Sequence, residues 1–216
     1  MTFLATIAIF TAAVGTVAVW LVVRFAGALK PSASRRIALS VLVLYAAFLA
    51  WRPPGFLLAD ILVLAAGAFG GLLMARALRT PPGLVAFAIT AALADAISFN
   101  RGITRVLIER SHTGKSSLLF DLCLSVPVPR LGVTPIVGVG DLFVMAALMT
   151  ALRYLGYRRA AFCVPAGALV AAVIVGLAVG GVPAVPILSG AVIASIAVAR
   201  RRESSAKDGG VKSRRF

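Results

Sequence analysis

Apolar positions along this chain fall into unbroken runs, not into the alternation of a half-buried strand or the spaced stripe of an amphipathic helix. The runs cover 2–23, 37–51, 56–78, 81–99, 134–155, 160–179 and 183–199, separated by basic or Pro/Gly-rich breaks. A bilayer core about 30 Å thick takes roughly 20 apolar residues as a helix, so the pattern predicts about seven transmembrane helices. The run 37–51 is short for that distance, with Trp51 expected at the interface and Arg36 reaching back to it. Arg52-Pro53-Pro54-Gly55 reads as a turn and Pro81-Pro82-Gly83 as a helix start. Gly67, Gly70 and Gly71 suit close helix packing in lipid. No Lys or Arg precedes the first run, and it exceeds the ~7–15 residues of a signal-peptide core; it reads as a retained span.

The one long break is 100–133. Within it, 102–110 has the pattern of a short amphipathic helix, with Ile103, Val106 and Leu107 opposite Arg101, Arg105 and Arg110. Stretch 117–128 reads as extended and ends in Pro127-Val128-Pro129. The expected architecture is an all-α polytopic bundle: an N-terminal three-span region (1–80), a four-span core (81–199) containing the long loop, and a disordered basic tail (200–216).

Composition strengthens the membrane reading. The chain is 61% hydrophobic and 13% charged, against about 45–50% and 25% in soluble domains. A net charge of +15 would suit nucleic acid, but its distribution does not, because the basic residues lie between and after apolar runs, where they set topology. With the N-terminus outside, 16 of the 22 Lys and Arg residues fall on the inner side. The expectation is an integral protein of a prokaryotic plasma membrane, N-terminus outside and C-terminus cytoplasmic, with the lipid bilayer as its surroundings. Cys123 and Cys163 are isolated and His112 is the single histidine, so no metal-ligand set and no cofactor motif is expected. Thr113-Gly114-Lys115-Ser116 mimics the end of a phosphate-binding loop, but Glu109 stands where that motif needs glycine.

Three acids interrupt the apolar runs. Asp60, near the start of the third, suits a helix N-terminus and reads as interfacial. Asp95 lies near the end of the fourth and Asp141 near the start of the fifth. Ionisable groups inside spans are costly and mark functional sites. Counted from the two ends of the long loop, the two carboxylates lie about 6 and 10 Å below the same face at 1.5 Å per residue. Antiparallel neighbours would bring them to similar depth, whichever way the chain is inserted. Two such carboxyls cannot easily both ionise, and the pair tends to hold one proton between them. That state can activate water with one member while the other polarises a carbonyl. Gly138 and Gly140 would let another backbone approach Asp141, so that an extended peptide could add as a strand alongside Val139. Pro183-Ala184-Val185-Pro186 leaves backbone groups unbonded at a helix start on the same face.

Ala94-Asp95, Gly138-Val139-Gly140-Asp141 and Pro183-Ala184-Val185 resemble, in order and spacing, the three motifs of the presenilin and signal peptide peptidase family of intramembrane aspartyl proteases. The likeness covers about 84–199. It implies Asp95 and Asp141 as the catalytic pair. It also implies that Gly138, Val139, Gly140, Pro183, Ala184 and Val185 shape the site and hold substrate, with transmembrane peptides or signal-peptide remnants as substrates and no metal. Ala94 stands where that family usually has tyrosine, and Val185 where it has leucine. Two alternatives compete. Prepilin-type peptidases also use a membrane-proximal aspartate pair with GxGD, and a small proton-coupled transporter would also carry membrane carboxylates. Oligomeric state is left open by the sequence. A cysteine substituted for Lys115 in a cysteine-free chain is expected to react with an impermeant maleimide from outside intact cells; reaction only after lysis would reverse the orientation.

Overall fold

In the computed structural model of the chain, which describes residues 2–51, 56–101, 121–128, 132–179 and 182–212, the apolar runs fold as helices. In order the elements are α1 (Thr2–Ala28), α2 (Pro31–Trp51), α3 (Phe56–Ala75), α4 (Pro81–Arg101), β1 (Cys123–Val128), β2 (Gly132–Gly138), α5 (Val139–Tyr154), α6 (Ala160–Val179) and α7 (Ala184–Lys212). The expected turn at 52–55, the short helix at 102–110, His112 and stretch 113–116 lie outside the described residues.

Among the described residues five helical stretches are long and apolar enough to cross a membrane, namely Ala5–Ala28, Pro31–Trp51, Leu57–Ala75, Pro81–Arg101 and Ala184–Arg201. Large apolar side chains on their outer faces, including Phe10, Val43, Leu93 and Ile97, are more than half exposed. Water disfavours such a surface and lipid does not, so these helices are compatible with an integral membrane protein.

Of the seven expected spans, the fifth is shorter than its apolar run. Residues 134–138 belong to β2, and α5 has only 16 residues, about 24 Å of helix. The cause is local. Thr134, Ile136 and Val137 are β-branched and favour extended backbone, and Pro135 has no N–H to donate to a helical ladder. α6, by contrast, runs for 20 apolar residues, Ala160–Val179. The second run, expected to be short, is instead 21 residues long because the helix begins at Pro31 and includes Arg35 and Arg36. Proline is well placed there, since the first helical N–H has no intrahelical partner anyway. The tail expected to be disordered from 200 continues α7 as helix to Lys212. Extending an existing helix avoids the cost of nucleating one, and Arg, Ala, Glu and Lys are strong helix formers.

α5 is the axis of the bundle. Every residue from Val144 to Leu152 is buried, as expected of a helix that is apolar all round. α1, α3, α6 and α7 pack against it. The closest approach is to α3, where Gly67 and Gly71 lie one turn apart. A Cβ on Gly67 would come within 2.7 Å of Leu142 Cβ, and one on Gly71 would run into the Phe143 carbonyl oxygen. The helices alternate in direction. Arg76 Nη2, just past the end of α3, donates to the Pro31 carbonyl at the start of α2 at 3.1 Å. Arg79 lies over the ring of Tyr154, at the end of α5, 5.3 Å from its centroid. The starts of α3, α5 and α7 and the end of α4 therefore share the opposite end of the bundle.

Gly71→Ala is expected to lower the stability of the purified protein in detergent by about 1–3 kcal/mol, the usual cost of overpacking. Gly167→Ala and Gly190→Ala, where a Cβ would meet nothing within 4 Å, are expected to raise it slightly, since alanine restricts the unfolded chain. Thermal unfolding of the three variants checks the sign of each change.

Candidate active site

The chain enters α5 directly from a strand. β1 and β2 form an antiparallel hairpin whose register pairs Cys123 with Gly138 and Leu124 with Val137, then shifts so that Ser125 faces Pro135. Gly138 is both the last residue of β2 and the cap of α5, with extended backbone at φ −74° and ψ 154°. Asp141, in the first turn, reaches back so that the Gly138 N–H donates to its Oδ2 at 3.0 Å. This is the carboxylate half of a capping box, and the helix dipole favours the negative charge there. A Cβ on Gly138 would stand 3.3 Å from that oxygen, so glycine gives the carboxylate room to fold back.

Asp95 occupies the last two turns of α4, which packs against α7. Its Oδ2 accepts a hydrogen bond from the Val185 N–H at 3.1 Å. That N–H belongs to the first turn of α7, where helical N–H groups have no partner within the helix. The carboxylates of Asp95 and Asp141 are close enough to interact electrostatically. Both are partly buried, and among the described residues the second oxygen of each accepts no further hydrogen bond.

The structure therefore gathers three separate stretches of sequence at one end of the bundle: Asp95, the Gly138–Asp141 turn, and the opening of α7. It distributes their roles differently from expectation. Val185 was expected to touch substrate, but its side chain is buried and its N–H is engaged by Asp95. Pro183 and Ala184 are half-buried beside it. Gly140 is exposed, and a Cβ there would meet nothing within 4 Å, so its outer side is open to an approaching backbone. With Val139, Leu42, Tyr45, Gly67 and Gly70 it lines an apolar groove of about 530 Å³ between α2, α3 and α5.

Two neighbours were not foreseen. Asp60, read as interfacial, is partly buried, and its Oδ1 accepts the Ser125 N–H at 2.9 Å. Cys123 is buried beside this region; its burial, and then the charges of Asp141 and Asp60, push the thiol up to about 12. The sequence signal for Asp60 was present, an acid inside an apolar run. Nothing in the sequence paired it with position 125, since their contact depends on the hairpin. No protein-family model, curated protein or solved structure matches the chain in comparison with known proteins.

Proposed function

We propose that this chain is an intramembrane aspartyl protease that hydrolyses peptide bonds of transmembrane helices or signal-peptide remnants. The observation that carries the reading is a pair of carboxylates near enough to interact electrostatically, each held by a backbone N–H at a helix start and, among the described residues, accepting no second hydrogen bond. Such a pair has the parts needed for water-based hydrolysis. One ionised carboxylate takes a proton from water as the water oxygen attacks the scissile carbonyl carbon. The other, protonated, donates to the carbonyl oxygen as charge develops there. The resulting diol collapses when the first carboxyl gives its proton to the amide nitrogen and the C–N bond breaks, while a diol hydroxyl passes its proton to the second carboxylate, so the pair again holds one proton. Every step runs between the two carboxyls, water and the peptide.

The motif order supports the same reading by its resemblance to presenilin and signal peptide peptidase. On that reading α4, α5 and α7 correspond to the family's catalytic spans, and Gly140 and the half-buried Pro183 and Ala184 face substrate. The charge distribution supports an N-out, C-in placement in a prokaryotic plasma membrane, which puts the aspartate end outward. Substrates would then resemble those of signal peptide peptidases.

Purified protein in detergent or proteoliposomes is expected to cleave a single-span helical peptide. Asp95→Asn and Asp141→Asn are each expected to slow cleavage about a hundredfold or more, the scale of a lost acid or base. Normal turnover by either variant would overturn the assignment.

A further inference from the structure

Asp60, a further carboxylate at this end of the bundle, has no part in the chemistry above, yet it reaches across to β1. Asp60 sits in the first turns of α3, and α3 is the helix pressed most closely against α5. Its Oδ1 accepts the Ser125 N–H at 2.9 Å, at the point where the β1–β2 register shifts between Leu124 and Ser125. A register shift leaves one strand with an extra residue, here Ile136, and disrupts the ladder locally. Pro135, facing Ser125, has no N–H to contribute. The hairpin is thus weakest three residues before Gly138, and Gly138 is the residue whose N–H holds Asp141. A second tie lies close by, where the Tyr45 hydroxyl donates to the Asp121 carbonyl at 3.2 Å and attaches the start of the hairpin to α2. That tie acts before the shift in register.

We infer that Asp60 is a positioning residue for the proposed proteolysis: it clamps β1 at the irregular point of the hairpin and so fixes the turn that presents Asp141. It touches neither water nor substrate in this role. The clamp requires an acceptor oxygen at position 60, and asparagine supplies one. Alanine does not, and it leaves the Ser125 N–H without its acceptor in a poorly solvated place. The inference rests on the protease reading for its functional consequence, but the clamp itself can be read without any cleavage assay. Cys123, two residues from Ser125, is buried with a thiol that resists ionisation, and thiol reagents attack the thiolate. Its labelling rate therefore reports whether β1 is held.

In a full-length Cys163→Ala background, which leaves Cys123 as the single thiol, labelling of the detergent-purified protein with a small maleimide is followed alongside peptide cleavage. Asp60→Ala is expected to speed Cys123 labelling about tenfold, as for the loss of a charged hydrogen bond. The same variant is expected to lower kcat about tenfold with KM little changed, and to spread the cleavage positions seen by mass spectrometry. Asp60→Asn is expected to restore labelling, kcat and cleavage positions to near the parent's. Unchanged labelling in Asp60→Ala would overturn the clamp whatever the activity. Faster labelling with unaltered kcat and cleavage positions would overturn its positioning role. An Asp60→Asn variant as impaired as Asp60→Ala would assign position 60 a charge-dependent role instead. If the parent cleaves no peptide while Asp60→Ala still labels faster, the clamp stands and the protease reading fails.

Discussion

The architecture depends on how closely α3 approaches α5. Lipid offers helices no hydrophobic reward for associating, so contact must come from packing and polar pairing. Gly67 and Gly71, one turn apart on α3, bring its backbone against Leu142, Phe143 and Ala146 of α5. That contact begins in the first turns of α5, beside Asp141. It fixes where the strand-to-helix junction stands relative to the other helices, and it sets Asp60 at the height of the hairpin. A larger residue at Gly71 would run into the backbone of α5 at Phe143 and Ala147.

The hairpin follows from the same constraint. α5 is buried almost all round and its 16 residues are short for a bilayer. The chain leading to it must therefore run inside the protein end of the bundle as something other than helix. An isolated two-stranded hairpin is marginal in water. Here it is held from outside, by Asp60 at Ser125 and by Tyr45 at Asp121. Irregular backbone at this depth is tolerable when protein groups satisfy it, and these two side chains do so.

Much of this was legible in the sequence, but unevenly. The helices were visible because apolar runs of spanning length have few other outcomes, and the GxxxG-like spacing of Gly67 and Gly71 flagged close packing. Asp95 and Asp141 could be singled out because each is an acid inside an apolar run, but the depth counted for Asp141 assumed helix from position 134, where the chain is a strand. Position 134 was misjudged because a continuous apolar run hides the change from strand to helix; Pro135 and the β-branched residues around it carried the signal. The start of α2 was misjudged because Arg35 and Arg36 look like loop residues, although a long basic side chain can remain helical and still reach water. Asp60 was read as interfacial and Val185 as a substrate contact, and neither reading included the hydrogen bond it makes. Their partners are backbone N–H groups, and a sequence does not show which N–H groups a fold leaves without partners.

All three inward acids share one solution. Asp60 takes the N–H of Ser125 at a shift in register, Asp95 that of Val185 at a helix start, and Asp141 that of Gly138 at a cap. Among the described residues none of them is paired with Lys or Arg. That arrangement has a consequence. An ion pair would lock each carboxylate in its charged state, because an adjacent cation opposes protonation. A single N–H stabilises the charge less, by roughly 1.5–3 kcal/mol for a hydrogen bond to a charged group, and leaves protonation within reach. On the proposed reading, two carboxyls held in this way can exchange a proton during hydrolysis more readily than two carboxylates clamped by arginines. The breaks in regular structure at this end supply the backbone donors, and among the described residues these donors stand where cations could have stood.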